Sequence, residues 1–241
     1  MKIKIDNSTY IVMLFAFLSG YFEYIYLLLI TIFIHELGHY LFGYLAHFKK
    51  KSIIIYPFGG ITIYNEDLNV STNKELFVLL GGIIFQLLFY FFIYLLHNEL
   101  FITDHVFYLF KRINTILISF NFLPILPLDG GRLLNIITDK LLPYRVSNKL
   151  CIIISMIFTI YFLFRVRTIL SIILVVFLIK SIIIEIKNLD YKYNQFLLER
   201  YLKDYNFKHI RFINNKNYFK RDNYHFINNE DEKKYLNRLF N

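Results

Sequence analysis

His35, Glu36 and His39 stand in the order His-Glu-x-x-His within an otherwise apolar run, Thr31-Ile-Phe-Ile-His-Glu-Leu-Gly-His-Tyr40. On a helix, positions i and i+4 share a face, so the two imidazoles can hold one metal ion with Glu36 beside it. The chemistry open to such a group is metal-assisted hydrolysis, in which an activated water attacks a carbonyl and a carboxylate carries its proton. Three ionisable residues within five positions of an apolar span are costly and point to function. A hydrogen-bonded cluster that glues helices together is the bland alternative. A metal relieves the cost more completely, because neutral imidazoles become ligands and the carboxylate gains a cationic neighbour.

A catalytic Zn²⁺ usually takes three protein ligands and keeps one position for water. Glu23, His47, Glu66, Glu75 and Asp129 are the candidates for the third. Glu23 lies too many helical turns before His35, Glu66 and Glu75 read as solvated charge, and His47 reads as an interfacial histidine. Asp129 differs, because it ends the segment Asn121-Phe-Leu-Pro124-Ile-Leu-Pro127-Leu-Asp129-Gly-Gly, in which two prolines break the helix. Unwound backbone at membrane depth is tolerated only where protein buries it or it lines a wet cavity, so Asp129 is the expected third ligand. A turn at the membrane surface is the competing account of that segment. Asn121 is placed to bind the substrate backbone, or alternatively packs as a helix amide.

These residues need a membrane to sit in. The 241-residue chain is 56% hydrophobic and only 19% charged, with 47 Phe and Tyr and a mean hydropathy of +0.46, which excludes disorder and an ordinary soluble domain. Nine Gly, four Pro and one Cys exclude collagen-like and disulfide scaffolds. The expected fold is an α-helical polytopic membrane protein of about six spans, near residues 8–21, 24–48, 75–97, 113–128, 149–164 and 168–186. The first is short, and its boundary with the second rests on Gly20 and Glu23. Lys2 and Lys4 ahead of an apolar run also fit a signal peptide, but no clean cleavage site follows. Cys151 lies in an apolar run and reads as packing.

The net charge of +9 needs no nucleic acid, because Lys and Arg collect in cytoplasmic loops for orientation. Their distribution predicts that both termini are cytoplasmic. Between the second and third spans, two β-type runs flank Pro57, Phe58, Gly59 and Gly60, a hairpin signal. Its strands are too short to cross a bilayer, and their edges could receive a substrate segment in extended form. From Lys187 onward, 12 Lys or Arg face 7 Asp or Glu among eleven Asn, so residues 1–187 are expected to form the membrane domain and 188–241 a basic cytoplasmic tail. Such a tail is attracted to anionic lipid.

With His35-Glu36-Leu-Gly-His39 and Asn121-x-x-Pro124-x-x-Pro127-Leu-Asp129-Gly in this order, the chain resembles the site-2 protease family of intramembrane metalloproteases, over roughly residues 5–202. Leu-Pro-Leu-Asp-Gly-Gly, Pro57-Phe-Gly-Gly60 and Phe196-Leu-Leu-Glu-Arg-Tyr201 are most similar to its sporulation branch in endospore-forming bacteria. The resemblance implies one Zn²⁺ per chain held by His35, His39 and Asp129, with Glu36 as catalytic base. It further implies a membrane-associated substrate such as a sigma-factor precursor, inhibitory membrane partners, and residence in the bacterial cell membrane, for the sporulation branch the one surrounding the forespore. Two departures stand out. Gly81-Gly82 leads to Ile83 where the family often has proline, and the roughly 40 residues after Tyr201 are expected to be too few for a complete nucleotide-binding CBS module, so the tail reads as a truncated remnant of a regulatory domain or as a basic segment. A metal-binding scaffold or a metal transporter is the alternative function, though internal repeats are not apparent.

Overall fold

The computed structural model describes residues 3–48, 50–56, 59–64, 67–165, 169–207 and 209–240. The chain is mostly helical and divides into two units, residues 1–66 with 77–121 and residues 67–76 with 122–241. Among the described residues, three helices are long and apolar enough to cross a membrane: Phe22–Leu45, Thr72–Asn98 and Tyr144–Arg165. The apolar helix Thr9–Leu18 is shorter. The span expected near residues 113–128 takes another form, because its helix starts at Asp104, carries Lys111 and Arg112, and ends at Asn121 ahead of the prolines.

The first unit comprises β1 (Ile3–Ile5), α1 (Asn7–Leu18), α2 (Phe22–Leu45), β2 (Lys50–Tyr56), β3 (Gly59–Tyr64), the body of α3 (Thr72–Asn98) and α4 (Asp104–Asn121). α1 stops where Gly20 takes a φ of 77°, a left-handed conformation that costs glycine nothing. Gly20 N then donates to Phe17 O and Tyr21 N to Ala16 O, which satisfies the last carbonyls of the helix before α2 begins. β1 runs parallel to β2, and β2 pairs antiparallel with β3 so that Ile55 faces Gly60. This hairpin matches the two β-type runs in the sequence. Ile53 and Ile55 of β2 pack with Ile32 of α2 and Leu117 of α4, which seats the hairpin against the helices. α2 and α3 meet at Gly38 and Gly81, where a methyl group on either would run into the other's carbonyl oxygen.

The second unit holds α5 (Asp129–Leu141), α6 (Tyr144–Arg165), α7 (Ile169–Leu202), β4 (His209–Ile213), a 3₁₀ turn at Lys216–Tyr218, β5 (Asn223–Ile227), β6 (Glu230–Asp231) and α8 (Glu232–Phe240). Residues 122–128 are non-helical, and Leu126 N donates to Ser155 Oγ at 2.9 Å, so α6 satisfies backbone that the prolines free. Gly130 and Gly131 open α5 directly beneath this turn: a Cβ on Gly131 would lie 2.5 Å from the Ile125 carbonyl carbon. α7 continues unbroken through residue 187, where the composition changes. Beyond it the tail folds around Tyr144, Tyr193, Phe196, Leu197, Phe219, Ile227 and Leu236. Phe196 stacks on Tyr144 with ring centroids 4.3 Å apart.

The connector at residues 67–76, which leads into α3, is gripped within this unit by α7 and the tail. Arg200, only 1% exposed, donates to Asn69 Oδ1 at 2.7 Å and pairs with Glu232 at 3.0 Å. Glu199 accepts from Leu68 N, and Asp222 accepts from both Thr72 N and Thr72 Oγ1 at the start of α3. Arg221 bridges Glu75 at 2.9 Å and Asp139 at 3.1 Å. Glu75, expected as solvated charge, is thus an ion-pair partner.

Candidate active site

One α2 face carries the site. His35, Glu36 and His39 are buried, at 3%, 4% and 5% exposure, and their candidate ligand atoms all lie within 4.8 Å of one another. The α-helix brings them together as the i, i+4 spacing requires. Asn121, at the end of α4, places Nδ2 3.4 Å from His35 Nε2. Gly60 of β3 presses against Glu36: a Cβ there would sit 2.6 Å from the carboxylate carbon and 2.8 Å from Oε1. Gly59 lies beside it in the strand, whereas Pro57 and Phe58 fall outside the described residues. Pro124, Pro127 and Asp129 belong to the second unit, where Asp129 is half-buried as the first residue of α5. Of the remaining carboxylates and histidines weighed as ligands, Glu23 lies 3.7 Å from His105, His47 takes a positive φ at the end of α2, and Glu66 is outside the described residues.

The protonation of both rings follows from their partners. His39 Nδ1 lies 3.0 Å from the Val78 carbonyl oxygen, which has no proton to give, so Nδ1 is the donor. His35 Nδ1 lies 2.9 Å from Gln86 Oε1. The Gln86 amide is oriented by its other end, because Nε2 donates to Asn114 Oδ1 at 3.0 Å beside the Asn114 carbonyl at 3.5 Å. Gln86 therefore presents its oxygen to His35, and His35 Nδ1 is also the donor. Each neutral ring then carries its lone pair on Nε2, and these two atoms stand 3.1 Å apart.

A shared cation would turn both lone pairs into ligands. The separation fits tetrahedral coordination: N–metal bonds of about 2.0–2.1 Å put two such ligands roughly 3.3 Å apart. Metal-bound histidines characteristically donate their other ring nitrogen to a carbonyl or carboxylate, which is the arrangement at both rings here. The donor set thus fits a dication of the zinc class. Gln86 and Asn114 were not singled out from the sequence, although Gln86 is the one amide in the apolar body of α3 between Glu75 and His97. Gly82 was read only as a departure from a pattern. It gives the histidines their space, since a Cβ there would lie 2.6 Å from His39 Cε1 and 2.9 Å from His35 Cε1.

The chain is also similar to known proteins. The site-2 protease from Methanocaldococcus jannaschii has a similar fold, with a TM-score of 0.60 and 24% identity over 77% of this chain and 91% of that chain. Stage IV sporulation protein FB of Bacillus subtilis (strain 168) is 31% identical over 206 residues, 83% of this chain and 72% of the relative. Residues 23–103 match the family description "Peptidase family M50", a stretch that holds the paired histidines, Glu36 and the glutamine behind His35. Since the likeness to the sporulation relative extends far beyond that stretch, the chain belongs to peptidase family M50, the site-2 proteases, and is an intramembrane metalloprotease.

Proposed function

We propose that this protein is a zinc endopeptidase that hydrolyses a peptide bond within or near the membrane in a membrane-associated precursor. The two Nε2 atoms, 3.1 Å apart with both Nδ1 atoms held by carbonyl-type oxygens, carry the reading. His35, His39 and Asp129 are the ligands in this proposal, and Glu36 is the catalytic base. Zinc, when bound, supplies a Lewis acid that polarises the scissile carbonyl and brings the pKa of a bound water towards about 7. Glu36 takes the proton from the attacking water and returns it to the leaving amide nitrogen. Its burial at 4% exposure limits the bulk water that competes for that proton. The Asn121 amide beside His35 orients the substrate backbone.

The substrate enters in extended form. β3 is an edge of the three-stranded sheet, and its Gly60 touches the base, so a segment added to that edge runs past Glu36. A helical substrate hides its backbone and must unwind to do this. In this reading, which follows the family resemblance of the sequence motifs and a relative named as a sporulation protein, the substrate is a sigma-factor precursor and the partners are inhibitory membrane proteins. In this reading residues 1–187 form a membrane domain of about six spans and 188–241 a cytoplasmic appendage, with both termini inside.

Zinc content and cleavage of a co-expressed membrane-tethered sigma-factor precursor test the assignment together. Glu36→Gln is expected to keep its zinc and lose cleavage by about 100-fold or more, while Asp129→Ala loses zinc. Full cleavage by Glu36→Gln would overturn the mechanism, and undiminished zinc in Asp129→Ala would remove Asp129 from the ligand set.

A further inference from the structure

His35 and His39 are oriented by different means. His39 Nδ1 is held by the Val78 carbonyl, a backbone group that no substitution removes. His35 Nδ1 depends instead on the Gln86 side chain, fully buried in α3, and Gln86 on Asn114 of α4, also buried at 4% exposure. A neutral imidazole in water favours the proton on Nε2, the tautomer that cannot ligate through that atom. Two buried amides in apolar helices are expensive unless their hydrogen bonds are used. Here both are used, in a directed chain from the Asn114 oxygens through Gln86 to His35.

We propose that Gln86 and Asn114 are positioning residues: a relay that fixes the Nδ1–H tautomer of His35 and so sets the metal affinity of the site. The relay rests on the zinc reading for its purpose but not for its existence, because the tautomer is a property of the metal-free protein. The oxygen of Gln86, not its nitrogen, is the working atom. Glutamate at position 86 should therefore substitute for it, with the Asn114 amide turned so that its Nδ2 donates to the second carboxylate oxygen, and an apolar residue should not.

Two measurements on the purified full-length protein test this. The first is histidine ¹⁵N NMR on metal-free protein: wild type is expected to show His35 protonated at Nδ1, and Gln86→Ala to move the proton to Nε2. The second is zinc affinity by chelator competition in detergent. Gln86→Ala is expected to weaken binding roughly 10- to 100-fold, the usual effect of losing such a partner. Asn114→Ala should weaken it less, Gln86→Glu should bind at least as tightly as wild type, and His35→Ala should lose the site. Binding by Gln86→Ala within twofold of wild type, with His35→Ala defective, would overturn the relay and leave the zinc reading intact. Equal weakening by Gln86→Glu and Gln86→Ala would also overturn it, as a merely structural role gives no rescue. Wild type that binds no zinc would sink the zinc reading, and the tautomer would still decide the relay. Should Gln86→Ala fail to fold, tight binding by Gln86→Glu together with weakened binding by Asn114→Ala supports the relay, and any other pairing overturns it.

Discussion

At the scale of single residues, the site depends on atoms that are left out as much as on those present. Gly82 and Gly60 each stand where a side chain would collide with a working group, but with different groups. A methyl at Gly82 strikes both imidazoles, so Gly82→Ala is expected to lose most of its zinc. A methyl at Gly60 strikes the Glu36 carboxylate instead. Gly60→Ala should keep near-stoichiometric zinc yet lose turnover by roughly 100-fold, the order expected when a reacting group is displaced by about 1 Å. Metal analysis and cleavage rates on the same preparations separate the two. Equal loss of zinc in both variants would show that the hairpin supports the ligands and not the base.

At the scale of elements, the first turn of α3 is anchored by the tail. That turn is capped by Asp222 and paired with Arg221, and over roughly the next three turns the helix carries Val78, Gly82 and Gln86. Arg221 is buried, and removing it strands Asp139, itself 1% exposed, without its cation. Arg221→Ala is expected to destabilise the protein by about 3–5 kcal/mol, read as a lowered Tm in detergent. The pair also makes stability depend on pH. Burial pushes the Asp139 carboxyl up from 3.8 to about 6, against the pull of Arg221. Between those values the folded state keeps a proton that the unfolded chain has released, so this group's contribution falls as pH rises through the window. Over that range the Tm of wild type relative to Asp139→Asn should decline with rising pH, by the equivalent of about 3 kcal/mol at most. A flat difference would show that Asp139 is ionised throughout. His225 works in the opposite sense: burial lowers its pKa, so acid below its usual 6.5 opposes the fold, and the comparison with Asp139→Asn cancels that contribution.

At the scale of the whole molecule, the polarity of α3 shows which solvent it meets. Leu87, Leu88, Phe91 and Phe92 are each more than half exposed on α3 while Gln86 on the same helix is fully buried, an order that suits a hydrocarbon solvent. The loop charges predict which side is which. Leu100, 91% exposed between α3 and α4, should lie outside, and Leu239 in the tail inside. An impermeant maleimide applied to intact cells is expected to label Leu100→Cys and spare Leu239→Cys, against little background because the native Cys151 is fully buried. The reverse pattern would invert the proposed topology.

Much of this was legible in local patterns. His-Glu-x-x-His places its side chains by helical periodicity alone, two prolines stop a helix wherever they fall, and the hairpin and the Gly20 boundary follow from backbone preferences of a few neighbouring residues. Membrane character followed from composition. The tertiary structure decided what depends on partners distant in sequence: that Gln86 serves His35, 51 positions away, and that Arg221 meets Glu75 across 146 positions. A glutamine in an apolar helix or a lysine-rich tail carries no mark of its partner, because hydrogen bonds and ion pairs are fixed by which helices pack together. The bond geometry of the local chain does not encode that.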